Sequence, residues 1–202
     1  VFVVTGGGSG IGRALAQALS ARGQEVLIVG RREQALLETA SFSPSISICC
    51  ADLSGEVGRN RLLSHLDNIP HLDGLIHNAG LIEPIMPITE ISQEAWRTTI
   101  EVNLNTPLFL TQSLLDKLKS GRVLHIGSAV AYFPVSGWAA YCVSKAALAM
   151  LTRCWQLECS QTAFASVMPG IIDTDMQALI RQSQGMEQEQ VAFYKNLKQE
   201  GR

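Results

Sequence analysis

The chain has 202 residues and a mass of 21.9 kDa, which fits one domain with at most an extension. With 47% hydrophobic and 17% charged residues there is ample material for a core and too little charge for a disordered chain. Lys plus Arg is 16 and Asp plus Glu is 18, a net charge of -2, so nothing in the overall balance draws the chain to nucleic acid or an acidic membrane.

Five cysteines, at 49, 50, 142, 154 and 159, are odd in number and form no Cys-x-x-Cys pair. That argues against a disulfide framework and against a bound metal, and for reduced thiols packed as small hydrophobes in a cytoplasmic protein. No basic segment followed by an apolar one opens the chain, and no apolar run approaches the ~18 residues of a membrane helix. The chain starts at Val1 inside an apolar run, without Met, and stops at Gly201-Arg202 after a polar stretch, so both ends are expected to be cuts in a longer protein.

Short β-rich runs alternate with helical patterns along the chain. Residues 1–5 read as a strand, and 10–22 as a helix with Ile11, Leu15, Ala18 and Leu19 on one face and Gly23 as its cap. A strand at 25–30 and a helix at 33–40 follow, then a strand at 45–51 and a more polar helix at 56–66. Residues 72–77 form the fourth strand. A Pro-punctuated loop leads to a long helical region, 93–119, which Pro107 should interrupt or bend. The fifth strand spans 122–127, a long helix 140–160 and the sixth strand 163–168, with a polar helical stretch from Asp173 onward. The strands are continuous apolar runs, so helices should cover both sheet faces. The expected fold is a single α/β domain, a doubly wound parallel sheet of the Rossmann type.

The first strand runs into Thr5-Gly6-Gly7-Gly8-Ser9-Gly10-Ile11-Gly12 and then a helix. Glycines permit a tight turn and close approach of backbone to a pyrophosphate, and the helix N-terminus offers free N–H groups. No Gly-Lys-Ser/Thr follows, which disfavours a nucleoside triphosphate site. The second strand ends Gly30-Arg31-Arg32, with no acidic residue to bind ribose hydroxyls; two guanidinium groups suit a 2′-phosphate, so NADP(H) is favoured over NAD(H), Arg31 being the stronger candidate.

Tyr141-Cys142-Val143-Ser144-Lys145 puts a tyrosine and a lysine one helical turn apart, and Ser128 lies thirteen residues before Tyr141. Reducing a carbonyl needs a hydride at carbon and a proton at oxygen. A phenol of pKa ~10 can donate that proton. The Lys145 ammonium should favour the phenolate and lower the Tyr141 pKa, while Ser128 hydrogen-bonds the substrate oxygen.

The Thr-Gly-x-x-x-Gly-x-Gly loop, Asn78-Ala79-Gly80, Asn103, Ser128, the Tyr141/Lys145 pair and Pro169-Gly170, in this order, resemble the short-chain dehydrogenase/reductase family from Val1 to about Met176. The resemblance implies that Gly6, Ser9, Gly10, Ile11 and Gly12 bind the pyrophosphate segment and that Asp52 and Leu53 bind adenine. It implies that Asn78, Ala79 and Gly80 flank the cofactor, with His77 a structural variation in that motif. Asn103 would hold a water linking Lys145 to solvent, and Lys145 would also bind the nicotinamide ribose. Pro169, Gly170, Ile172 and Thr174 would hold the nicotinamide; otherwise Asp173 or Thr174 simply caps a helix, as Asp52 could through Ser54.

Pro169 to Gln177, together with Gly30-Arg31-Arg32, is similar to the sepiapterin reductase-like and benzil reductase-like branch, which reduces ketones and diketones with NADPH. Tyr132, Phe133, Pro134, Val135 and Trp138 would then line an apolar substrate site, and the Gln-rich region 175–200 would be a mobile lid. The family also implies a homodimer or homotetramer, and a further helix and parallel strand that the 202 residues do not include. Two other readings fit less well. A non-catalytic NADP(H)-binding regulator needs no proton donor, and a methyltransferase needs an acidic ribose ligand where Arg31 stands.

Overall fold

A computed structural model describes residues 1–200. Its elements run β1 (Phe2–Thr5), α1 (Gly10–Ser20), β2 (Val26–Gly30), α2 (Glu33–Ala40), β3 (Ile46–Cys50), α3 (Glu56–His65), β4 (Gly74–His77), α4 (Gln93–Ile100), α5 (Thr106–Leu114), β5 (Arg122–Ile126), α6 (Ala139–Glu158), β6 (Ala163–Val167), α7 (Asp175–Gln182) and α8 (Gln188–Gln199). All strand pairs are parallel, in the order β3-β2-β1-β4-β5-β6. This is the doubly wound Rossmann arrangement, whose order reverses between β1 and β4.

Successive residues of the inner strands enter opposite cores, whereas in the edge strand β6 only Phe164 is buried, so the expected cover on both faces does not extend to that edge among the described residues. Val3, Val29, Leu75 and Val123 pack with Leu62 of α3 and with Leu110 and Leu114 of α5. Val4, Ile28 and Ile76 pack with Ala16 of α1 and Leu36 of α2. The continuous apolar runs follow from this, because both faces of every central strand are buried. Each such side chain contributes roughly 1.5–3 kcal/mol of transfer free energy.

The expected helical region 93–119 runs unbroken from Gln93 to Leu114 through α4 and α5. A π-helical turn, Glu101–Asn105, joins the two just before Pro107, so the residue without an N–H falls where the regular i→i−4 ladder is already displaced. Gly23 closes α1 as expected: at φ 77 its N–H donates to the Ser20 carbonyl at 2.9 Å and that of Gln24 donates to the Leu19 carbonyl at 3.2 Å, which satisfies the last turn and directs the chain toward β2. Leu72 lies outside β4 because its N–H bonds to the Lys117 carbonyl at 2.8 Å.

A third apolar cluster lies off the sheet. Ile180 of α7, Met186 of the α7–α8 loop and Val191 of α8 pack on Ile82, Val130 and Trp138. The loop docks closely: a Cβ on Gly185 would fall 2.0 Å from the Ile85 carbonyl oxygen. Among the described residues no helix is long and apolar enough to cross a membrane.

Candidate active site

The C-terminal ends of the strands open into a cavity of about 560 Å³ that spans the switch point between β1 and β4. One half is made mainly of backbone. Gly6 and Gly10 adopt φ 67 and 51, and a Cβ on Gly12 would meet the Gly6 carbonyl oxygen at 2.3 Å. Gly6, Ser9, Gly10 and Ile11 line this half, and Gly12 is buried beneath them. The cradle is therefore closed to side chains and open to an extended ligand. Asn78 holds it to the sheet: its Nδ2 donates to the carbonyls of Thr5 and Gly6 at 3.0 and 3.1 Å. The Thr5 hydroxyl accepts from the N–H groups of Asn78 and Ala79, at 3.0 Å each.

Arg31, Arg32, Asp52, Leu53, Ala79 and Gly80 also line the cavity. Arg32 Nη2 donates to Ser9 Oγ at 3.0 Å and to Asp175 Oδ2 at 3.3 Å, so it joins the glycine loop to the start of α7. Asp52 Oδ1 accepts from Ser54 N–H and Oγ–H at 3.0 and 2.7 Å. Burial works to raise the Asp52 carboxyl, but Ser54 and nearby Arg31 hold it below the usual carboxylate range. The local turn through Ser54 thus forms, and Asp52 still faces the cavity.

Pro169, Gly170, Ile172 and Thr174 line the same opening from the segment after β6. Thr174 occupies the N-cap position of α7 without making a side-chain cap bond, which leaves its hydroxyl for a ligand. Asp173 does not cap either: it pairs with Arg181 Nη2 at 2.9 Å and Lys198 Nζ at 3.6 Å, tying α7 to α8.

The other half is built of side chains. Ser128 follows β5, and Tyr141 and Lys145 share a face of α6; all three line the cavity. The Lys145 Nζ lies 5.6 Å from the Tyr141 ring centre and donates to the Ile126 carbonyl at 2.8 Å. Burial pulls the Lys145 pKa down to about 8. The expected lowering of Tyr141 by Lys145 is not found. Burial raises the Tyr141 phenol; the Ser128 hydroxyl beside it pulls in the opposite direction but does not prevail.

Asn103 sits in the π-helical turn, buried. Its Oδ1 accepts from Leu81 N–H at 2.8 Å, and its Nδ2 donates to the Leu81 carbonyl and to Ser144 Oγ at 2.8 and 2.9 Å. Its side chain therefore joins the β4 loop to α6. Asn103 Oδ1 and Lys145 Nζ flank one point, 3.4 and 3.6 Å from where a Cβ on Gly80 would lie. His77 is a core residue: it stacks on His125 at 5.1 Å, its Nε2 lies 2.8 Å from Thr111 Oγ1, and burial keeps its pKa well below the ordinary value.

Phe133, Val135 and Trp138 line the cavity as expected; Tyr132 and Pro134 do not, and Tyr132 is 73% exposed. Met176, Leu179, Ile180 and Tyr194 complete the wall from α7 and α8. Tyr194 carries no motif. Its one sequence signal is the Phe193-Tyr194 pair inside an otherwise polar, Gln-rich stretch.

Residues 1–185 match the short chain dehydrogenase family. Benzil reductase ((S)-benzoin forming) of Bacillus cereus is 29% identical over 216 residues, covering 99% of this chain and 86% of that protein. A short chain dehydrogenase/reductase of Saccharomyces cerevisiae superposes with a TM-score of 0.92 at 29% identity, over 98% of this chain and 82% of that one. A short chain dehydrogenase of Shigella flexneri complexed with NADP superposes at 0.81 with 27% identity, over 91% and 82% of the two chains. Sequence, fold and site geometry agree: the chain belongs to the short-chain dehydrogenase/reductase family of oxidoreductases.

Proposed function

We propose that the protein is an NADPH-dependent carbonyl reductase that acts on ketones or diketones and works in reverse as an alcohol dehydrogenase. The observation that carries this reading is the meeting of Ser128, Tyr141 and Lys145 in one cavity with the glycine cradle. The cradle fits a dinucleotide, since Gly6 and Gly10 at positive φ present bare backbone to the cavity and Gly12 lets the start of α1 pack directly under the Gly6 carbonyl. When bound, the nicotinamide supplies the hydride. Ser128 donates a hydrogen bond to the carbonyl oxygen, and Tyr141 gives that oxygen its proton. A raised phenol pKa keeps Tyr141 protonated and ready to donate. Lys145, with a pKa of about 8, is mostly a cation at neutral pH and favours the phenolate left behind.

Support for NADPH over NADH comes from Arg31 and Arg32 at the cavity edge and from the NADP bound by the Shigella relative. Support for a bulky or aromatic ketone comes from the apolar wall of Phe133, Val135 and Trp138 and from the name of the Bacillus relative. In this reading α7 and α8 cover the substrate half of one NADP-binding domain. Val143, Met150 and Leu157 recur every seven residues on the exposed side of α6, a face suited to a second copy in a homodimer or homotetramer. The test is cofactor consumption with α-diketones and aromatic ketones, run with NADPH and with NADH. Faster turnover and tighter binding with NADPH are expected; a preference for NADH would overturn the reading of Arg31 and Arg32.

A further inference from the structure

The substrate half holds two phenols, and the mechanism uses only one. Tyr194 of α8 stacks on Trp138 with ring centres 5.8 Å apart and planes at 28°. Trp138 in turn meets Tyr141 edge-on at 6.0 Å and 81°. Phe193 braces Tyr194 from outside at 5.3 Å. The indole N–H is not available to a ligand, because it points to Met186 Sδ at 3.0 Å. Tyr194 differs: its ring lines the cavity, and its hydroxyl has no hydrogen-bond partner among the described residues. The phenol is partly desolvated, which raises its pKa and keeps it a donor at neutral pH.

A half-buried phenol without a partner, held by stacking, is a fixed hydrogen-bond donor facing an otherwise apolar wall. Two other polar side chains line this region. Glu83 is exposed, and Gln177 has no contact that fixes its amide. We propose that Tyr194 is a specificity-determining residue: its hydroxyl donates to a second oxygen of the substrate, close to the carbonyl held by Ser128 and Tyr141. This selects vicinal dioxygen compounds, α-diketones and α-hydroxyketones, over simple ketones of the same size. The proposal rests on the carbonyl-reductase reading and names its substrate class. A site with an unpaired donor rejects the ligand that lacks the matching acceptor.

The test pairs benzil with deoxybenzoin, which keeps both phenyl rings and one carbonyl but lacks the second oxygen. Tyr194→Phe retains the stacked ring and removes only the hydroxyl. It should lower kcat/KM for benzil about tenfold more than for deoxybenzoin, mainly through KM, as expected for one lost hydrogen bond. Tyr194→Leu, which also removes the stacking, should weaken both substrates. Equal losses for the two ketones in Tyr194→Phe, or no loss for either, would overturn the assignment while leaving the carbonyl-reductase reading standing. Failure of the wild-type protein to reduce either ketone would overturn both.

Discussion

The two halves of the cavity are built by different means. In the cofactor half the chain presents backbone: glycines at positive φ, a carbonyl 2.3 Å from where a side chain would start, and Asn78 clamping β1 to the end of β4. In the substrate half it presents side chains: Trp138, just before α6, and Met176, Ile180 and Tyr194 from the last 26 described residues, 175–200. The first half is part of the sheet and shares its cores. The second is a satellite cluster closed by two helices. A common cofactor can be read by a common backbone geometry, whereas the substrate wall is free to vary with its side chains.

That difference has energetic consequences. Leu62→Ala empties a fully buried position in the sheet core and should cost about 2–5 kcal/mol of global stability by urea denaturation. Ile180→Ala, equally buried but in the cover, should raise KM for the ketone more than it lowers the unfolding midpoint, because α7 and α8 can open locally. Equal destabilisation by the two would make the cover part of the main folding unit.

The stacked His77 and His125 lie on adjacent strands under the cavity, paired in register. Burial lowers the His125 pKa from 6.5 to about 4, with Lys145 adding to the effect. The unfolded chain therefore takes up a proton that the folded one refuses. Stability is full above pH 6.5 and falls as the pH drops toward 4, by roughly 3 kcal/mol for His125 alone. Denaturation curves at several pH values should show this fall, and a shallower one in His125→Gln.

The smallest effect is expected where the halves touch. Arg32 and Asp175 are 67% and 70% exposed, so their ion pair contributes less than about 1 kcal/mol. Asp175→Asn should leave the unfolding midpoint nearly unchanged in a thermal scan, and should favour NADPH modestly over NADH in binding by removing a negative charge beside Arg32.

Legibility in the sequence followed the same division. Helix α2 falls at residues 33–40 as expected, and the glycine loop, the Tyr141/Lys145 pair and Ser128 meet in one cavity, because their spacing is tied to local backbone form. Pro107 points to an irregularity in 93–119, but not to its form, a π-helical turn at Glu101–Asn105. That turn coincides with Asn103 bonding to Leu81 and Ser144, which are distant in sequence. The role of Tyr194 was not legible either, since a Gln-rich helix reveals which of its residues face inward only once it has docked. The Tyr141 pKa departs from expectation for a related reason: the four-residue spacing predicts that Lys145 is near but says nothing of how deeply the phenol is buried.

The most direct measurement is NADPH consumption with benzil by the wild-type protein and Tyr141→Phe, alongside NADPH affinity by fluorescence. The account predicts turnover in the wild type, a loss of about 10²–10⁴-fold in Tyr141→Phe, and similar NADPH affinity in both. Turnover that survives the loss of the Tyr141 hydroxyl would contradict it.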